Sequence, residues 1–528
     1  MSNQVSLSQN LRSNWPVWAG CLFLVLYWWF GFDGITFSDD VYYILAGKNF
    51  WEGNMQVDDY HFSSRWGAYV PFGFFGLLFG FGPHIFSLFS LSCYLLSFLL
   101  LARLLEKKQL PLFAIWFCTQ VYFLHFISKV YPDSALILWV SLVPVFAVHR
   151  HKRPILAGIG LILALFLGFI TKETIIFLAP FPILLFFFDL RSKLVSSQFY
   201  TSLVISGFLI GTLYLGYFWI EFGDPLYRIQ SINEGHYISE FTYADKGIGS
   251  ILKRLTILPF TTFVERAYWP WIIFAIPCSY MAWKNKGKVK TEFALAGICL
   301  LVGFWFMSST LEIYNPIYLN PRHLIILIPI LSVLIVFGWQ VWQSSKKWKY
   351  GLSAAILIGV MIAIILKDWK MAAFHVAFIP IVWLPKPKIK FAFLALLLIT
   401  PTILAIPYQK NLKGYSDLLS TLDEITQPKE NQNFVITNNF LVFSQEVILP
   451  GKEKQQDILF PIEDIIKLQR FPPQEVEVLI YNYYLHAYPK EKVDVDRLET
   501  WIFMNEYEVI EEWKENQLWY RKLSRVRD

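Results

Sequence analysis

Long apolar runs separated by short polar joints dominate the first 410 residues. The runs cover 15–32, 84–104, 111–128, 133–148, 154–171, 173–190, 199–220, 268–283, 291–309, 322–342, 351–367, 371–385 and 389–407. A bilayer crossing takes roughly 20 such residues, so the pattern predicts about thirteen transmembrane helices, several of them short. The stretch 68–82 is also apolar, but it is short and punctuated by Gly73, Gly76, Gly80, Gly82 and Pro83. It reads as a re-entrant or interfacial piece. Between it and the first run, Val41 to Trp51 is amphipathic and rich in tyrosine, which suits a helix lying in the membrane interface.

After Pro407 the pattern changes. Residues 410–430 are polar, and a compact region follows. Asn433 to Thr437 and Val476 to Asn482 predict buried strands. Asp464 to Gln469 and Val495 to Asn505 predict helices, and Tyr507 to Trp513 with Gln517 to Lys522 predicts a hairpin around Lys514-Glu515-Asn516. The expected fold is a polytopic α-helical membrane protein with a small C-terminal α/β domain. The first unit spans 1–410, with a large outer loop at 33–83, and the second spans 411–528.

Composition agrees. The chain is 55% hydrophobic and only 16% charged, whereas soluble domains carry about 25% charged residues. The net charge of +6 is not a nucleic-acid signature, because the basic residues sit in small groups between apolar runs. These groups are Arg103/Lys107/Lys108, Arg150/Lys152/Arg153, Arg191/Lys193, Lys284/Lys286/Lys288/Lys290, Lys346/Lys347/Lys349 and Lys386/Lys388/Lys390. With 68–82 not spanning, all of them fall on one side with the amino terminus, which the positive-inside rule makes cytoplasmic. The C-terminal domain is then periplasmic or extracellular. The first run follows only Arg12 and has no small-residue cleavage site, so it reads as a retained span. The five cysteines all lie in apolar segments, and neither a disulfide framework nor a zinc spacing is present. The cytoplasmic joints are short and hold no phosphate-binding loop. No inner segment is large enough for a nucleotide-binding domain.

Unusual charge collects on the outer side. Asp39 and Asp40 follow the first span, and Asp58, Asp59, His61 and Arg65 lie in the same loop. Lys129-Val130-Tyr131-Pro132-Asp133, Thr171-Lys172-Glu173 and Pro321-Arg322-His323 mark the outer ends of later spans. Carboxylates and cations at that depth are costly without a partner or a task. Ion-coupled carriers place such groups near the bilayer midplane. Here the spans are nearly free of charge, which favours an enzyme over a transporter or flippase of lipid-linked glycans.

Phe37-Ser38-Asp39-Asp40-Val41-Tyr42-Tyr43, with Ala46 and Trp51-Glu52-Gly53, resembles the first outer loop of GT-C glycosyltransferases. The nearest groups are bacterial relatives of protein O-mannosyltransferases and of the lipid A aminoarabinose transferase. Arg65-Trp66-Gly67 with Pro71, Tyr131-Pro132-Asp133, Thr171-Lys172-Glu173 and Pro321-Arg322-His323-Leu324 resemble the family's later landmarks. Asp40 departs from the Glu of many members, and Pro71 stands alone where a proline pair is usual. The resemblance implies transfer of a sugar from a polyprenyl-phosphate donor to an acceptor hydroxyl at the outer face of the cytoplasmic membrane, with inversion. The acceptor class stays open among protein, lipid and polysaccharide, and a glycan polymerase or ligase is the other enzymatic alternative.

On this reading Asp39 is the general base, ionised because an aspartate titrates near 3.9, and Asp40 is its partner or a helix cap. Arg322, Lys172 and Lys129 are candidates for the departing phosphate, since guanidinium and ammonium groups stabilise charge developing on oxygen. Tyr43, Arg65, Asp133, Glu173 and His323 are candidate substrate contacts. No cofactor is required. Two carboxylates with His61 or His323 are compatible with a divalent cation, but no spacing demands one.

Overall fold

The computed structural model describes residues 14–235, 242–243, 245–284, 289–427, 434–470 and 472–525. Arg12, Lys286 and Lys288 of the charge pattern and Asn433 of the first expected strand lie outside these described residues. All thirteen apolar runs are largely helical. Among the described residues, six helices are long and apolar enough to cross a membrane: Pro83–Ala102, Pro154–Thr171, Glu173–Ser192, Ser197–Phe222, Lys346–Ile365 and Pro387–Ile425. A seventh is reached by counting Lys107–Cys118 and Val121–Ser128 as one span bent by 70°. The other runs form shorter helices, including Trp15–Phe30, Pro132–Val148 and Leu327–Gln343. The 70° bend has a local cause. The Gln120 side chain accepts from the Phe123 amide (2.6 Å) and donates to the Arg266 carbonyl (3.0 Å), so it replaces a helical bond with a cap.

The stretch expected to be broken by glycines is instead one continuous helix, Trp66–Phe79, with Pro71 inside it. At about 1.5 Å per residue it is about 21 Å long, too short to span. Its glycines serve packing. It lies against helix Asp39–Trp51, and Gly47 faces Gly73 so closely that a Cβ on either would strike the other helix's backbone. The two helices form a shelf beside one end of the bundle.

The C-terminal region is an α/β unit with strand order β2-β1-β3-β5-β4. β1 (Val435–Thr437) pairs in parallel with β2 (Leu459–Pro461) and β3 (Glu475–Tyr481). β5 (Leu518–Arg525) runs antiparallel to β3 and to β4 (Tyr507–Glu515). The expected strands and hairpin are present, with the turn one residue later, at Asn516 and Gln517. The three-residue β2 carries too little pattern to be seen in sequence. Asp464 to Gln469 lies in a 3₁₀ stretch, Ile462–Gln469, and the last helix starts earlier than expected, at Pro489. One face of the sheet packs on helix Pro489–Met504. The other shares a hydrophobic core with the loop after the first apolar helix and with the shelf helices, uniting Ile35, Phe37 and Val41 with Leu418, Val435, Tyr481 and Tyr484.

Candidate active site

The two adjacent aspartates face different ways. Asp40 is buried, and its carboxylate accepts from the backbone amides of Thr36 (2.6 Å), Ser38 (3.0 Å) and Val41 (3.1 Å). It is an internal clip for the loop and does not line the cavity. Asp39, the first helical residue, points into a cavity of about 360 Å³. There it accepts from Arg322 Nη2 at 2.7 Å. The two side chains keep 23% and 21% of their exposure, so the pair is open to the cavity.

Arg322 is the second residue of a short helix, Pro321–Leu324, whose first turn is capped by Asn320, and its guanidinium lies 4.8 Å from the Tyr131 ring. Its Nε is 3.9 Å from Asp133. Asp133 in turn holds Lys172 Nζ with both oxygens at 2.8 Å. Lys172 sits where the helix Pro154–Thr171 ends and the chain turns extended, which projects its side chain away from the helix axis. Arg65 grips Glu173 through Nε (3.0 Å) and Nη2 (2.6 Å) and reaches Tyr43 Oη through Nη1 (2.8 Å). Arg228 closes the set on Glu173 at 3.0 Å.

Electrostatics follow from these contacts. Burial alone would raise the Asp39 carboxyl, but Arg322, with Lys172 and Arg65 behind it, holds it below the usual carboxylate range. Burial pushes Lys172 down to about 8, against the pull of Asp133. The arrangement offers an ionised base facing a cluster of cations, which is what a displacement with an anionic leaving group requires.

The structure brings together Asp39, Arg65, Lys172, Glu173, Arg322 and His323, all on the cavity wall with His61. Asp133 stands behind the wall as the partner of Lys172, and Tyr43 is fully buried beneath Arg65. Lys129 does not line this cavity. It is buried and bonded to Asp33 and to the Gly34 carbonyl, while Lys413 approaches the same carboxylate at 2.9 Å and His125 at 3.8 Å. Arg228, Asp33 and Lys413 escaped the sequence reading. Arg228 carried a weak signal, since it lies in a loop that the charge pattern assigns to the outer side. Among the described residues, no three His, Cys, Asp or Glu side chains converge as a metal site.

No protein-family model matches the chain, and no curated protein does. Solved structures do. The crystal structure of ArnT from Cupriavidus metallidurans bound to undecaprenyl phosphate is 12% identical, with a TM-score of 0.56 over 96% of this chain and 98% of that one. Its apo form is also 12% identical, with a TM-score of 0.58 over 95% and 97%. The chain shares the fold of these structures. The match to ArnT runs through the helical part and the C-terminal sheet alike, since nearly the whole of both chains is covered.

Proposed function

We propose that this protein is a membrane glycosyltransferase that takes a sugar from a polyprenyl-phosphate donor at the outer face of the cytoplasmic membrane. The observation that carries the reading is the Asp39–Arg322 pair, open to a cavity that Lys172 also lines. The ArnT fold, in a structure holding undecaprenyl phosphate, supports the same donor class. The acceptor hydroxyl attacks the anomeric carbon and gives its proton to Asp39. The bond from that carbon to the phosphate oxygen breaks, and its electron pair stays on the phosphate. Attack opposite the departing phosphate inverts the anomeric centre.

Arg322 is suited to a double duty. Nη2 holds the base, and Nε faces His323 Nε2 at 3.4 Å. Nη1 carries no hydrogen bond among the described residues and can meet a phosphate oxygen. Lys172 meets a second. A phosphate so placed draws the guanidinium away from Asp39 and raises the basicity of the carboxylate when the donor is in place. Arg65 and Glu173 brace the wall opposite. Asp40 and Lys129 fix the loop and take no part in the displacement.

The test uses the purified full-length protein in nanodiscs. It binds undecaprenyl phosphate, and Arg322→Ala weakens that binding at least tenfold. Membranes given radiolabelled undecaprenyl-phosphate monosaccharides incorporate label with the wild type and not with Arg322→Ala. Equal binding and equal incorporation by the two proteins would overturn the assignment.

A further inference from the structure

The loop that carries Asp39 is gripped by the C-terminal domain. Phe37, two residues before the base, adopts φ +55°, a left-handed conformation uncommon for a bulky residue. Such a conformation persists only where the surroundings over-determine it. Here they do. The Phe37 ring is buried in a box made by Tyr415, Phe440, Tyr481 and Tyr484, with centroids 5.4–6.1 Å away. Every wall of that box belongs to the region after residue 411. The backbone on either side is held from the same direction. Tyr484 Oη donates to the Ile35 carbonyl at 3.1 Å, and Tyr488 Oη donates to the Phe37 carbonyl at 2.5 Å. One residue pair farther back, Gly34 takes φ +92° directly under the Tyr415 ring, where no Cβ would fit. On the shelf helix that follows, Lys48 pairs with Glu446 of the same domain.

These contacts are few in kind and aimed at one segment. From below, the loop is fixed by Asp40 and by the hydroxyl contact of Thr36 with Tyr131. From above, it is fixed by two tyrosine hydroxyls and one aromatic plug. The carbonyl bound by Tyr488 belongs to the residue just before the Ser38 N-cap, so its direction sets how the Asp39 helix begins. We infer that the C-terminal domain positions the catalytic carboxylate, with Phe37 as the plug and Tyr488 and Tyr484 as the positioning residues. This rests on the proposed role of Asp39 and assigns the domain a part in the transfer step itself. Tyr488 is only half-buried, so anything that binds the domain beside it can alter the aim of the base.

The experiment compares full-length wild type, Tyr488→Phe and Phe37→Leu in nanodiscs, with thermal midpoints as a folding control. Deuterium exchange of the amides in 34–41 speeds up at least fivefold in both variants, while helices Pro154–Thr171 and Leu327–Gln343 are unchanged. Affinity for undecaprenyl phosphate stays within twofold, because Arg322 and Lys172 do not touch the domain. Turnover with the undecaprenyl-phosphate sugar that the wild type accepts falls about tenfold with KM unchanged. In an Asp39→Asn background, Tyr488→Phe adds no further loss. Unchanged exchange in 34–41, or a turnover loss that persists undiminished in the Asp39→Asn background, overturns the inference. Should the wild type transfer no sugar at all, the functional reading fails while the exchange measurement still decides whether the domain orders the loop.

Discussion

Two charged clusters lie a few residues apart in the loop after the first apolar helix and have opposite characters. Asp33 is wholly buried between Lys129 and Lys413, so two ammonium groups share one carboxylate and none of the three lines the cavity. Asp39 pairs with Arg322 on the wall of the cavity, with both side chains partly exposed. The residue types are nearly the same, and the difference is access. A closed cluster cannot exchange partners without unfolding its surroundings, so it acts as a strut joining the first loop to the last long helix. An open cluster can trade one ion for another as a ligand arrives. A third group, Arg150 between Asp189 and Glu292, is closed as well and ties helices together elsewhere in the bundle. Charge at a helix end is therefore free to meet a ligand only where a cavity reaches it.

The largest expected effect comes from neutralising the open carboxylate. Asp39→Asn should lower the transfer rate by about 10²–10⁴, the usual worth of a positioned base, with little change in thermal midpoint. Asp40→Asn is the internal control. It leaves the cavity wall intact but weakens the three-amide clip, so it should reduce stability by about 1–3 kcal/mol and affect rate only through loop order. Rates measured on membranes normalised for folded protein separate the two. A similar rate loss for both variants at equal stability would erase the distinction between clip and base.

The closed cluster predicts the reverse signature. Asp33→Asn leaves two lysines buried without their carboxylate, and breaking a buried pair in this way costs about 3–5 kcal/mol. Folded yield and thermal midpoint should drop, whereas the fraction that does fold should bind undecaprenyl phosphate as the wild type does. The double variant Asp33→Asn/Lys129→Met removes one of the stranded charges and should recover part of the loss. Unimpaired stability in Asp33→Asn would mean the cluster is not a strut.

The same comparison explains what the sequence could reveal. Helical runs, the short helix on the shelf and most of the terminal sheet were legible because apolar periodicity and length report burial directly. Asp39, Arg322 and Lys172 were legible because each is a charge at an outer helix end, and all three reach the cavity. Lys129 has the same local signature and does not, because its partner Asp33 lies 96 residues away and its second neighbour, Lys413, farther still. Asp40 was read with Asp39 as one acidic pair, as its partner or as a cap, and successive residues at a helix start point about 100° apart, so one can serve the loop while the other faces the cavity. The tyrosines that grip the loop gave no signal at all, since a hydroxyl aimed at a distant carbonyl looks like any tyrosine of a soluble domain.

The smallest expected effect is a pH dependence, and it probes the open cluster without disturbing its packing. Burial sets Lys172 near 8, so its charge is lost as pH rises through about 8, well before an exposed lysine would titrate at about 10.4. A phosphate bound at Lys172 favours the protonated form, so above pH 8 binding must take up a proton, and affinity should fall by at most tenfold per pH unit. A phosphate monoester loses its second proton near pH 6, so between pH 7.5 and 9.5 the ligand charge is constant and the slope belongs to the protein. On the acid side the Asp39 carboxyl is held below the usual carboxylate range, so any acid limb it gives the transfer rate should lie lower than that of an unperturbed aspartate. Lys172→Arg keeps a charge across the whole interval and should flatten the alkaline slope for undecaprenyl phosphate, measured by titration in nanodiscs. Lys129→Arg, in the closed cluster, should leave the slope as it is. An alkaline slope that survives Lys172→Arg would assign the proton to another group and remove Lys172 from the phosphate site.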